Sequence, residues 1–202
     1  MRKRKLPDLD LQGFSWAFAK SLFEASGHKE GTLLSIISGS PARAREIKAQ
    51  VKFIRANIKE GDRVLEIGTN CGHFSYLASL LGATSIVTIE LREECAPAIE
   101  MLLAERAGIT SIIGDSAHVV PQLRGPFDVA WVDGSHSMAS ALKDLRNCAG
   151  KSPLLLVDDY NNTSVREAVA AFIADSEYVL DSVSNSKRII AKLINPEGQS
   201  TP

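Results

Sequence analysis

The chain has 202 residues, of which 45% are apolar and 23% charged, with a formal net charge of −1. That size and composition predict one globular domain with a full core, and the near-neutral balance argues against nucleic acid or an acidic membrane surface as a partner. No apolar run approaches the ~20 residues needed to cross a bilayer, and the polar LPDLDLQG after the basic MRKRK start makes no signal peptide, so no membrane contact and a cytoplasmic location are expected.

Residues 1–60 read as a helical extension or cap. MRKRK reads as a solvated, frayed end, with a weak anionic contact as the alternative. FSWAFAKSLFEASG (14–27) and PARAREIKAQVKFIRANIK (41–59) are helical, the second with Ile47, Val51, Ile54 and Ile58 on one face. HKEGTLLSIISGS (28–40) between them reads as a loop or lid. From residue 61 to 196 short apolar runs alternate with helical segments. The runs are RVLEIG (63–68), SIVTIE (85–90), TSIIGD (110–115), FDVAWVD (127–133) and LLLVDD (154–159). The last helical segment opens on Ser164-Val-Arg-Glu167, a capping-box pattern. Such alternation predicts an α/β, Rossmann-like, doubly wound fold with a mostly parallel sheet. YVLDSVS (178–184) and KRIIAKLI (187–194), joined by Asn185-Ser186, predict a C-terminal antiparallel hairpin that brings the sheet to seven strands. Residues 197–202 read as a disordered tail. Cys71, Cys95 and Cys148 share no CxxC spacing and read as free packing thiols.

The strand ends carry the chemistry. In VLEIGTNCGHF (64–74), Gly68 and Gly72 let a ligand approach the backbone closely. Ligands of open α/β sheets lie beyond the carboxyl ends of the strands. The spacing is not G-x-G-x-x-G, and Asn70 replaces the central glycine, which disfavours a dinucleotide. Glu66, just before the turn, repels phosphate and attracts an amino group. Glu90, at the end of the second run, is placed to accept from ribose hydroxyls. Asp115, with Ser116 after it, ends the third run and suits an adenine amino group.

E-I-G-T-x-x-G, the acid of TIE and then GDS resemble the class I S-adenosylmethionine-dependent methyltransferases, over roughly residues 40–194. WVDGSHS (131–137) and VDDY (157–160) resemble the metal-dependent O-methyltransferases, both the catechol and caffeoyl-CoA type and the macrocin and cephalosporin-tailoring type. The resemblance implies that Glu66, Gly68, Thr69, Asn70, Gly72 and Phe74 surround S-adenosyl-L-methionine. It puts Glu90 on the ribose and Asp115 with Ser116 on the adenine. Asp133 would serve both cofactor and metal, and Asp158 and Asp159 would complete the metal's ligands. It also implies a homodimer. One departure stands out: Gly-Ser-His follows Asp133 where catechol-type enzymes have a lysine nearby, so a lysine base is in doubt.

If the fourth and fifth strands are neighbours, ~4.8 Å apart, Asp133, Asp158 and Asp159 converge, and three carboxylates that close call for a cation. Oxygen ligands suit Mg2+ or another divalent cation, which would lower the pKa of an acceptor hydroxyl. His136, three residues past Asp133, is placed to take the hydroxyl proton. Asp133 and His136 are therefore the candidate catalytic residues. Tyr160 and Asn162 suit either the substrate mouth or a sheet edge; Phe127 and Trp131 suit the core. The sequence thus predicts a Mg-dependent O-methyltransferase for a small hydroxylated molecule. The alternatives are a metal-independent N- or RNA-methyltransferase and a non-catalytic nucleoside-binding domain.

Overall fold

The computed structural model describes residues 9, 11–27 and 41–197. The basic start, the 28–40 segment with His28, and residues 198–202 of the expected tail lie outside the described residues. Two helices come first, α1 (Trp16–Ala25) and α2 (Pro41–Asn57). Then follow β1 (Arg63–Ile67), α3 (His73–Leu80), β2 (Ser85–Glu90), α4 (Ala96–Glu105), β3 (Ile109–Ile113) and α5 (Ser116–Gln122). The chain continues through β4 (Val129–Val132), α6 (Met138–Ala149), β5 (Leu154–Val157), α7 (Thr163–Ala174), β6 (Val179–Val183) and β7 (Ala191–Ile194). The strands form one seven-stranded sheet in the order β3-β2-β1-β4-β5-β7-β6. β1 to β5 pair in parallel, and β7 lies antiparallel to both β5 and β6. The expected α/β, Rossmann-like architecture with its terminal hairpin is the observed one.

Alternation along the strands divides the core between two faces. Leu65, Ile67, Ala130, Val132, Leu155 and Val157 pack with Leu145, Val169 and Phe172 of α6 and α7. Val64, Val129, Trp131 and Leu156 pack on the other side with Ile54, Ile58 and Phe74. Thus α2 shares a core with the sheet, and its predicted stripe is the buried one: Val51, Ile54 and Ile58 are buried. The three cysteines are buried and free.

Two local expectations fail. The hairpin connection runs from 184 to 190 rather than two residues, because the start of KRIIAKLI leaves the ladder. The Ser184 hydroxyl accepts from Ile190 N–H at 2.8 Å, and Arg188 turns away towards β5. Helix α7 starts one residue before the predicted capping box. Asn162 is its cap, accepting from Ser164 N–H at 2.9 Å, so Asn162 serves the helix. Tyr160 packs on the core edge.

Candidate active site

Strand order reverses between β1 and β4, and the loops after these two strands are pressed together. Gly68 has φ +87°, and a Cβ there would stand 2.1 Å from the Asp133 carbonyl oxygen. Only glycine lets the two backbones meet so closely. Asn70, at φ +51°, donates its backbone N–H to Glu90 Oε2 at 2.6 Å. Glu90 Oε1 accepts from the Arg92 backbone at 3.0 Å and from its Nε at 3.3 Å. The turn after β1 is thereby tied to the end of β2. Asp115 caps α5 by accepting from Ala117 N–H at 2.8 Å. Ser116 donates to Asp144 at 2.7 Å, and burial pushes the Asp144 carboxyl up to about 6.

These loops enclose a cleft of about 580 Å³, within the usual range for a small-molecule site. Gly68, Asn70, Glu90, Asp115, Ser116, Asp133 and His136 all line it. Glu66, Thr69 and Phe74 do not; they line a second, smaller cavity of about 200 Å³. Gly72, at φ +78°, turns the chain into α3, close against Leu102.

The smaller cavity lies under the N-terminal helices. Phe14, Trp16 and Ala19 supply one side, Ile47 and Val51 of α2 another, and Phe74 stacks on Trp131 with ring centres 4.2 Å apart. Trp131 is therefore both core and cavity wall, whereas Phe127 is core alone. Three bonds hold α1 in place. Ser15 N–H donates to the Tyr76 hydroxyl at 3.0 Å, that hydroxyl donates to Gly13 O at 3.2 Å, and His73 Nε2 donates to Ala19 O at 3.0 Å. Burial keeps His73 neutral by lowering its pKa. Gly68, Asn70, Asp133 and Arg188 line both cavities.

Asp133, Asp158 and Asp159 do converge, since β4 and β5 are neighbours. The Oδ1 of Asp158 is buried without a hydrogen-bond partner. Burial, reinforced by Asp133, pushes this carboxyl up to about 8. His136 Nε2 lies 3.5 Å from Asp133 and 3.2 Å from Asp159. Its bond to Asp133 raises its pKa, while burial raises that of Asp133. A cation already sits among these acids. Arg188 Nε and Nη2 donate to the two oxygens of Asp159 at 2.7 and 2.8 Å. Nη2 also lies 3.5 Å from Asp158 and 3.7 Å from Asp133. Donor atoms of Asp133, His136 and Asp159 fall within 4.8 Å of one another, a spacing that a single ion could span. Both Asp159 oxygens already accept from the Arg188 guanidinium, however, so an ion would have to share them with a cation. In this arrangement the residues do not fit a divalent ion.

Sequence reasoning missed Arg188, which reads as one residue of an apolar run and meets its partner 29 positions away. It also missed the roof residues Phe14 and Trp16. Asp144 did leave a signal, because it falls on the buried stripe of α6 with Ala141, Leu145 and Cys148. Glu66 faces the smaller cavity. It is buried, held by the hydroxyls of Ser75 and Thr88, with burial pushing it up to about 8. His118 stands exposed, 3.4 Å from Asp115.

Residues 65–160 match a family model described as a methyltransferase domain. Over that stretch the chain is similar to methyltransferase domains. Three solved structures resemble it in fold. PH1948 from Pyrococcus horikoshii, provisionally assigned as an RNA methyltransferase, aligns with a TM-score of 0.63 at 17% identity, over 88% of this chain and 94% of that one. Aeropyrum pernix fibrillarin, solved with natively bound S-adenosyl-L-methionine, gives 0.61 at 16%, over 73% and 74%. Precorrin-6y C5,15-methyltransferase from Geobacter metallireducens gives 0.61 at 15%, over 73% and 87%. At such identities the likeness is one of fold. With an RNA methyltransferase assignment among these neighbours, the comparisons lend no support to the expectation that nucleic acid plays no part. Among the described residues no helix is long and apolar enough to cross a membrane.

Proposed function

We propose that the protein moves the methyl group of S-adenosylmethionine onto a hydroxyl of a small molecule. The observation behind this reading is the pair of cavities that share Gly68, Asn70, Asp133 and Arg188. The larger would take the nucleoside, with Glu90 accepting from the ribose and Asp115 and Ser116 beside the adenine. The smaller, walled by aromatic side chains, would take the acceptor. Its roof of Phe14 and Trp16 favours a compact molecule over a polymer, and residues 1–60 would act as the cap of a cofactor-binding unit at 61–196. Transfer occurs where the cavities meet, so in-line positioning supplies much of the rate. The acceptor oxygen forms a bond to the methyl carbon as the carbon–sulfur bond breaks, and the sulfonium becomes a neutral thioether. The hydroxyl proton passes to His136 in its unprotonated form, and the same neighbours that raise its pKa, Asp133 and Asp159, stabilise the resulting imidazolium. Magnesium, implied by the resemblance, is left out of this scheme because Arg188 already grips Asp159.

The test uses S-adenosylmethionine carrying a heavy-isotope methyl, offered with a pool of small metabolites and, separately, with total RNA. Label recovered in a small hydroxylated product, with S-adenosylhomocysteine formed in equal amount, is the expected result. Label in RNA alone would replace this reading with that of an RNA methyltransferase.

A further inference from the structure

Arg188 stands where a resemblance to metal-dependent enzymes would put an ion. The connection between β6 and β7 is long enough to let this residue leave the ladder, and its backbone is braced by α2. Its N–H donates to Glu46 Oε1 at 3.3 Å, and its carbonyl accepts from Gln50 Nε2 at 3.4 Å. The side chain then reaches 29 residues back in sequence to hold Asp159 with two parallel hydrogen bonds. Such a two-pronged contact fixes direction as well as charge, which a point cation cannot do. On the other side of the contact, Asp159 has φ +51°, a left-handed conformation that aspartate tolerates better than most residues. Both partners are thus set by their backbones.

We infer that Arg188 is the resident cation of the acidic notch, taking the place of a divalent ion, so that this chain binds no metal there. A metal ion would have to share the oxygens of Asp159 with the guanidinium. It would also bring a second positive centre close to the guanidinium, where the two repel each other. The guanidinium gives one positive charge at the meeting point of the two cavities, beside the place of the acceptor oxygen in the function proposed above. It therefore acts as a positioning group for Asp133, Asp158 and Asp159. Removing it should uncover a metal site, because Asp133, Asp159 and His136 then present free donors within 4.8 Å of one another.

Mn2+ titration followed by electron paramagnetic resonance tests this on the full chain. Wild-type protein and Arg188→Lys should take up no Mn2+ at millimolar concentration, and chelator should leave the unfolding temperature unchanged. Arg188→Ala should take up one ion and gain thermal stability from it. Stoichiometric uptake by the wild type overturns the inference, as does a folded Arg188→Ala that takes up none. If Arg188→Ala does not fold, the wild-type titration decides alone. None of these readings needs an acceptor, so failure here is distinct from failure of the methyl-transfer proposal.

Discussion

The larger cleft takes most of its lining from residues that lie just past strand ends: Gly68 and Asn70 after β1, Glu90 to Arg92 at β2, Gly114 to Ala117 after β3 and Asp133 to His136 after β4. The smaller cavity draws on residues as far apart as Phe14 and Ile190. In the first, strand direction alone brings the groups together, since parallel strands end on one edge. In the second, helices from the start of the chain must dock on a sheet formed later in sequence. The first should therefore tolerate changes in the roof, and the second should respond to them.

The strongest break of that contrast is Gly68→Ala. Its Cβ would lie 2.1 Å from a backbone oxygen of the facing loop, so calorimetry should find S-adenosylhomocysteine binding abolished. Glu90→Ala comes next. It removes a carboxylate that fixes the Asn70 backbone and lines the cleft, and hydrogen bonds to charged groups contribute ~1.5–3 kcal/mol, so affinity should fall roughly 10- to 100-fold. Trp16→Ala sharpens the contrast from the other side. The acceptor KM should rise roughly 10-fold through lost apolar contact, while S-adenosylhomocysteine affinity stays unchanged; a matching loss of cofactor affinity would show that the cavities are not separate.

The smallest effect concerns pH. Burial lifts Glu66 from an ordinary 4.5 to about 8. Between those values the folded state holds a proton that the unfolded state releases. Its contribution to stability is complete below 4.5 and is lost as pH rises through 8. Glu66→Gln should flatten the fall in urea midpoint between pH ~5 and ~8. An unchanged slope would show that Glu66 is ionised in the fold.

The sheet, its parallel order and the terminal hairpin were readable because their signals are local: short apolar runs, intervening helical stripes and two closely spaced strands. The acids at strand ends were readable for the same reason, and Asp133 with Asp158 and Asp159 followed from β4 lying beside β5. What supplies their cation was not readable. Arg188 meets Asp159 only after the hairpin has folded back, and a guanidinium and a metal ion leave the same acidic imprint on sequence. The length of the hairpin connection was misjudged because KRIIAKLI has strand-like residues in positions that the ladder does not use. Glu66 shows a further limit. Its place at the end of a buried strand is plain in sequence, but the hydroxyls of Ser75 and Thr88 that receive it lie on α3 and β2.

Calorimetric titration of the purified chain with S-adenosylhomocysteine puts the larger cleft to the proof. One molecule should bind per chain, weakened by Glu90→Ala and untouched by Trp16→Ala. Absence of heat and of any shift in unfolding temperature, in a folded sample, would contradict the assignment of that cleft to the methyl donor.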